Sequence, residues 1–366
     1  MTRTFKRKRA KRFVTTSVKR EYLPSCFMCA LGTCMIMGIV MYIVLLVYIV
    51  QANVLPDDEM VYKLNFNNRS SAIPCDQPAF VLLVINSYPT HFERRNAIRR
   101  SWGDGKEYIN RINHPYAWRT LFVIGRTGDP EKDKKIEEES HMYGDLVLGE
   151  FIDCMKNLTY KTLLGMQWAH RNCQPKFFFK GDDDIFVNAP LLFDAIREFA
   201  LTRYDEDVWI CRSSHSLLAR MVVRDRRNKY FVSYEDYPAD HFPKFCSGFA
   251  YVMSGSVVKK LLLAIKSVRV ISSVDDVYVA ILGRQFNVIP QHDNRFHVYY
   301  PPEPNHNYTR GEIESRFAEH QIRPKDQIRM LQIARKVRID FSELAITDDF
   351  PVGNPTIRCH SHPLDV

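Results

Sequence analysis

The sequence predicts an α/β protein: a doubly wound, mostly parallel sheet carried behind an N-terminal transmembrane anchor helix. Three features point that way. Apolar strands alternate with helical segments from about residue 80 onward. One of those strands, Lys176 to Lys180, is almost wholly aromatic and ends in Gly181 and three consecutive carboxylates, Asp182-Asp183-Asp184. Ahead of the alternating region, Cys26 to Val50 runs 25 residues without a charge, about 37 Å of helix and enough to cross a bilayer.

Charge sets the topology. The chain has 366 residues and a formal charge of +9, and its first 25 residues hold nine Lys and Arg against one acid. The basicity belongs to this tail, so nothing favours a nucleic-acid-binding body, and none is expected as a partner. A basic flank before an uncleaved apolar span stays in the cytosol, and the C-terminal body is translocated. The expected organisation is a cytosolic tail (1–25), a signal anchor (26–50), a polar stem (51–77), a folded body (78–345) and a C-terminal tail (346–366). Six cysteines lie beyond the anchor (Cys75, Cys154, Cys173, Cys211, Cys246 and Cys359), with no C-x-x-C among them. Disulfides are expected rather than zinc, in a pairing that sequence leaves open. Three sequons fall on the same side, at Asn68, Asn157 and Asn307.

Within the body, Phe80–Ile85 reads as a buried strand. Phe92–Trp102 reads as a helix with Arg95 and Arg99 on one face and Ile98 and Trp102 on another. Leu121–Ile124 is a second strand, Glu131–Tyr143 a charged helix, and Gly144–Leu148 a short strand. Asp153–Arg171 reads as a helix leading into the aromatic strand. After the triplet, Asn188-Ala189-Pro190 starts a helix that buries Leu192, Ile196, Phe199 and Ala200. Three adjacent carboxylates repel one another unless a cation neutralises them, and hard oxygen ligands suit Mg²⁺, Ca²⁺ or Mn²⁺. A triplet flanked by Phe177-Phe178-Phe179 and Ile185-Phe186-Val187 fits a metal site better than a solvated acidic turn. It would stand at the carboxyl edge of the sheet, where open α/β sheets bind ligands.

Five blocks in order carry a family resemblance. They are Arg94 to Gly103; Glu150-Phe151-Ile152-Asp153 with Asn157 to Thr162; Lys180 to Asn188; Asp236-Tyr237-Pro238 with Phe242 to Gly248; and Val274 to Val279. Over residues 78–335 the chain resembles the β-1,3-galactosyltransferases and β-1,3-N-acetylglucosaminyltransferases, Golgi hexosyltransferases with an inverting GT-A fold. The resemblance implies a GT-A-like, Rossmann-type sheet and a single-pass type II Golgi membrane protein with a lumenal catalytic domain. It also implies a UDP-sugar donor, a glycan acceptor and Mn²⁺, with Mg²⁺ as the alternative. Asp184 becomes the direct metal ligand, Asp182 a ligand nearer the ribose, and His320 the completing histidine, with His292 and His297 in reserve. Arg95, Arg99, Asp182 and Asp183 fall on the donor side. The resemblance leaves room for a homo- or hetero-oligomer.

An inverting transfer also needs a base opposite the leaving group. Val274-Asp275-Asp276-Val277 offers the other paired carboxylates in an apolar frame, at the start of a helix whose dipole favours an ionised acid. Asp276 is the expected base. Asp275 is expected to cap that helix, and with Gly248 it is placed on the acceptor side. Two departures stand out: Asp275 replaces the family's usual Glu, and Phe249-Ala250 follows Gly248 where relatives carry a glycine-rich step. The tail with Cys359-His360-Ser361-His362 fits no block. Two other classes compete. A metal phosphoesterase would need a second His and Asp cluster, which the sequence lacks, and a catalytically silent glycan-binding or cargo protein would not need the intact Asp182, Asp184 and Asp276.

Overall fold

The structure, a computed structural model, describes residues 35–45, 71–105, 118–203, 206–214, 216–271, 273–299 and 306–335. The chain divides into two compact units, Met1–Val54 and Leu55–Val366. In the first, residues 35–45 form a helix whose apolar side chains are all exposed. Among the described residues no helix is long and apolar enough to cross a membrane. The rest of the expected span, the basic tail, Asn68 and the C-terminal tail with Cys359 lie outside the described residues.

In the second unit the elements are β1 (Val81–Asn86), α1 (Phe92–Arg99), β2 (Trp118–Arg126), α2 (Pro130–Tyr143), β3 (Leu146–Ile152), α3 (Leu158–Asn172), β4 (Phe177–Asp182), β5 (Ile185–Val187), α4 (Ala189–Thr202) and β6 (Trp209–Ser213). They continue with β7 (Cys246–Ser254), α5 (Gly255–Ala264), α6 (Asp275–Arg284), β8 (Gln291–His292), β9 (Phe296–His297), α7 (Arg310–Ser315), β10 (Ala318–His320) and α8 (Pro324–Arg335). One seven-stranded sheet has the order β3-β2-β1-β4-β7-β6-β8, and a small sheet pairs β5-β10-β9.

The alternation read from sequence is present. β1 is buried at all six positions, as a central parallel strand should be. Its odd and even residues feed opposite cores. Leu82 and Val84 join Leu163 of α3, Leu261 of α5 and Val279 of α6. Val81, Leu83 and Ile85 join Ile98 of α1 and Leu192, Phe193 and Ile196 of α4. Helices thus cover both faces. α2 starts on Asp129, whose carboxylate accepts the Glu131 and Lys132 N–H groups, and stops at Gly144 with φ +62°. α4 starts on Asn188, which accepts the Leu191 N–H.

Three boundaries differ from the sequence reading. β7 runs antiparallel to both β4 and β6. The chain leaves β6 at Ser213 and re-enters at Cys246, its partner in the register, so it returns by the edge it left and must reverse. The helix expected from Asp153 begins only at Leu158, after a 3₁₀ turn at Met155–Asn157. The end of the expected stem belongs to the body: Ala72 donates to Leu146 O at 3.1 Å, and Cys75 is disulfide-bonded to Cys173.

Candidate active site

Strand register assembles the site. β1 and β4 are parallel neighbours with Asn86 opposite Asp182, so both strands deliver their carboxyl ends to one edge. The first turn of α6 borders the same cavity. Beyond Asp184 the chain enters β5, which pairs with β10 so that His320 faces Ile185. Sequence distance between the triplet and His320 is thereby removed by a three-residue strand pair. The triplet's backbone is pinned as well: Ile322 N–H donates to Asp184 O at 2.7 Å, and Gln327 Nε2 to Asp183 O at 3.3 Å.

The three adjacent acids have three different surroundings. Asp183 is buried and accepts from Ser87 Oγ (2.7 Å), Tyr88 N–H (3.2 Å) and Arg94 Nη1 (2.9 Å), with His91 Nδ1 at 2.8 Å. Burial opposes its charge, but His91, Arg94 and Ser87 outweigh it and hold the carboxyl well below the usual carboxylate range. Asp184 lies 3.5 Å from both His320 Nε2 and Arg94 Nη1. Burial again opposes its charge, and His320 then Arg94 bring the carboxyl below its ordinary value. The same contact raises His320 above its ordinary value against its own burial. Asp182 accepts from Lys180 Nζ at 2.7 Å, yet burial and the Asp184 charge push it up to about 6.

Asp182, Asp184 and His320 offer ligand atoms that all lie within 4.8 Å of one another. Two carboxylates and an imidazole make a donor set suited to Mn²⁺ or Mg²⁺. Burial first, and then the Asp184 charge, raise the Asp182 carboxyl, and a cation held here would favour its ionised form against both. The residues fit the ion.

The second acidic pair lines the same cavity. Asp275 is buried, accepts the Thr162 hydroxyl at 2.6 Å and lies 3.8 Å from Lys180 Nζ. Thr162 in turn accepts from Asn86 Nδ2 at 2.8 Å. Asp276 is half-buried, and its Oδ1 accepts the Val277 N–H at 2.8 Å. A Cβ added at Gly248 would sit 3.5 Å from both Cβ and Oδ2 of Asp276. Burial and the Asp275 charge push the Asp276 carboxyl up to about 7. Between the two groups lies Lys180, 2 % exposed, which donates to Asp182 and Gly248 O.

One cavity of about 600 Å³ reaches both groups. Its lining includes the polar Ser87, His91, Arg94, Lys161 and the triplet, and also Met155, Leu158, Met221, Tyr230 and Phe245. The sequence pattern of the family described as Galactosyltransferase matches residues 93–294, which run from α1 through the triplet and Asp276 to β8.

The chain belongs to the galactosyltransferase family. A lactosylceramide 1,3-N-acetyl-beta-D-glucosaminyltransferase of Xenopus tropicalis is 32% identical over 253 residues, 68% of this chain and 64% of that protein. Human beta-1,3-galactosyltransferase 5 is 32% identical over 240 residues, 64% of this chain and 73% of that protein. The chain thus spans a little under two thirds of the length of the first of these relatives. A crystal structure of S. aureus TarS 1-349 overlaps 70% of each chain at a TM-score of 0.33 and 8% identity, too loosely to say anything about this one.

Within the galactosyltransferase-family body, the expected residues divide. Asp182, Asp183, Asp184, Gly248, Asp275, Asp276 and His320 all line the cavity. Arg95 and Arg99 do not. Arg95 is fully buried with Glu139 at 2.6 Å, and Arg99 holds Asp145 at 2.7 Å and Glu139 at 2.8 Å. The face they share is turned to α2, and Arg94, one position earlier, is the arginine that reaches the site. Asp275 does not cap α6; Val274 holds the N-cap position, and the Asp275 carboxylate is taken by Thr162 and Lys180. His292 accepts the Ser213 N–H and His297 pairs with Glu319 at 3.0 Å, away from the triplet. Asn307 is exposed, whereas Asn157 donates to Ile152 O at 2.8 Å and its sequon's Thr159 is fully buried. Lys180, His91, Ser87 and Lys161 went unassigned in the sequence reading. For Lys180 a signal existed, since the two-residue period of a strand places it on the same face as Asp182.

Proposed function

We propose that this chain is an inverting, metal-dependent hexosyltransferase. It moves galactose or N-acetylhexosamine from a UDP-sugar to the 3-hydroxyl of a sugar acceptor on a glycoprotein or glycolipid. The observation that carries the reading is that Asp182, Asp184 and His320, close enough to share an ion, line one cavity together with Asp276. The relatives' names, which state β-1,3 transfer of galactose or N-acetylglucosamine, support the same class.

When bound at Asp182, Asp184 and His320, Mn²⁺ (or Mg²⁺) would supply Lewis-acid neutralisation of the departing diphosphate. The protein's own groups do the rest. Arg94, beside Asp184, adds positive charge on the donor side. Asp183 holds Arg94 and His91 in place rather than meeting the donor. Asp276 Oδ2 takes the proton from the acceptor hydroxyl as its oxygen forms the new bond to the sugar's C1, on the face opposite the breaking C1–O bond to UDP. Displacement from the far side inverts the anomeric centre.

The body is placed in the Golgi lumen behind a type II anchor at 26–50. The exposed apolar helix at 35–45 supports this, and so do the Cys75–Cys173 and Cys211–Cys246 disulfides, which need an oxidising compartment. A UDP-release assay with UDP-galactose and UDP-N-acetylglucosamine, with Mn²⁺ and after chelation, tests the reaction. Cation-dependent release is expected, and no release from either donor would leave only a glycan-binding protein. For the topology, a glycosidase-induced mobility shift and protection of the body from protease in sealed microsomes are expected.

A further inference from the structure

The wall that the β6–β7 loop gives the cavity has a chemistry unlike that of the residues around the triplet. Residues 216–245 leave the sheet between β6 and β7 and close back on themselves. The Cys211–Cys246 disulfide ties their base. Arg224 ties their middle, donating to Val232 O, Tyr237 O and Ala239 O and lying 3.9 Å from the centre of the Tyr234 ring. The loop presents Met221, Val223, Tyr230 and Phe245 to the cavity, joined there by Met155, from the turn before α3, and Leu158, its first residue. No charged side chain of the loop is among the described residues lining the cavity.

The apolar surface does not end at the mouth. Met155, Met221 and Tyr230 are 37%, 53% and 46% exposed, and Leu217 and Leu218, on the same 3₁₀ turn as Ala219, are 61% and 78% exposed. A wall that only had to grip a second or third sugar ring would need hydrogen-bonding groups to replace the water those hydroxyls lose. Ser247 and Ser273 line the cavity with Asp276, but among the described residues of the loop that line it only Tyr230 carries a hydrogen-bonding side chain, and the rest offer methyl, thioether and ring carbon. Exposed apolar area continuous with a catalytic cavity marks a binding site rather than stray surface.

We infer that the loop 216–245 with Met155 and Leu158 binds an apolar aglycone, making the preferred acceptor an amphiphile: a sugar carried on an alkyl or lipid tail. This rests on the transferase reading above. It assigns Met221 and Leu218 a share in acceptor choice and none in the chemical step.

The test uses the full chain in phosphatidylcholine nanodiscs, with empty discs as control, and paired methyl and octyl glycosides of β-galactose and β-N-acetylglucosamine. The readout is the glycoside concentration giving half its effect on UDP-sugar consumption, either as transfer or as suppression of donor hydrolysis. Burying about two of the added methylenes is enough for a tenfold gain, so the octyl compounds should act at concentrations at least about tenfold lower. Met221→Glu, and separately Leu218→Asp at a more exposed position, should shrink that octyl-to-methyl advantage to about threefold or less. Equal potency of octyl and methyl compounds in the unaltered protein, or an octyl advantage unmoved by both substitutions in proteins that melt normally, overturns the aglycone site and leaves the transferase reading intact. If no UDP-sugar is consumed under any condition, the transferase reading itself fails, and this inference with it.

Discussion

The Asp182–Asp184 triplet and the Asp275–Asp276 pair are both runs of adjacent carboxylates beside one cavity, and they solve the same problem in different ways. In the triplet, the turn between β4 and β5 sends Asp183 inward, to Ser87, His91 and Arg94, and leaves Asp182 and Asp184 with His320. In the pair, the first turn of α6 sends Asp275 to Thr162 and Lys180 and leaves Asp276 with the Val277 N–H. Each cluster commits one acid to contacts within the fold, and the remainder are the acids to which the proposed function gives its chemistry. The difference lies in the charge balance of the freed acids. The triplet has cationic partners and two acids close enough to share an ion, whereas Asp276 is a single carboxylate raised by burial and by its neighbour. The first suits a cation and the second suits a base.

Removing a freed acid from the triplet should have the largest effect. Asp184→Ala is expected to lower kcat by about 10³-fold or more, as loss of several kcal/mol of leaving-group stabilisation requires. Chelation should do the same to the unaltered protein, with Mn²⁺ restoring it. Steady-state kinetics with circular dichroism melting would check that the fold survives.

The committed acid should behave in the opposite way. Asp183→Asn leaves Arg94 and His91 facing a neutral amide, and should cost about 2–3 kcal/mol of stability. That corresponds to a melting temperature lower by about 5–10 °C, read by differential scanning calorimetry.

A smaller effect follows from pH. A base must be ionised to accept a proton, and burial beside Asp275 pushes Asp276 up to about 7. kcat/KM should therefore fall about tenfold between about pH 8 and about pH 6, as the carboxylate protonates. A flat profile over that range would remove Asp276 as the titrating group. The smallest expected change is at Gly248. Gly248→Val would crowd Asp276 Oδ2 and should raise the acceptor KM about fivefold, with donor KM unchanged.

How far the sequence could be read follows from what each element depends on. β1, β4 and α4 were legible because their signals are local: apolar runs, a carboxylate stop, an Asn188 cap. The reversal at β7 was not, since it depends on where the chain re-enters the sheet after residues 216–245, which no short period encodes. Asp182, Asp184 and Asp276 were legible as charges placed in apolar frames. Arg95 and Arg99 misled for a physical reason. An amphipathic helix shows which residues share a face, and only tertiary packing against Glu139 and Asp145 shows that this face turns away from the site. Lys180 fell between two motifs, although its position two residues before Asp182 in a strand fixed its direction.

The most direct test of the division between committed and freed acids sets Asp276→Asn beside Asp275→Asn, measuring kcat and melting temperature for each. Asp276→Asn should lower kcat by about 10²–10⁴-fold while its melting temperature and its affinities for UDP-sugar and Mn²⁺ stay near those of the unaltered protein. Asp275→Asn should instead lose melting temperature, through Thr162 and Lys180, and keep most of its turnover at temperatures where it remains folded. Normal turnover by Asp276→Asn with a dead but stable Asp275→Asn would exchange the two roles, and activity in both would place the base elsewhere.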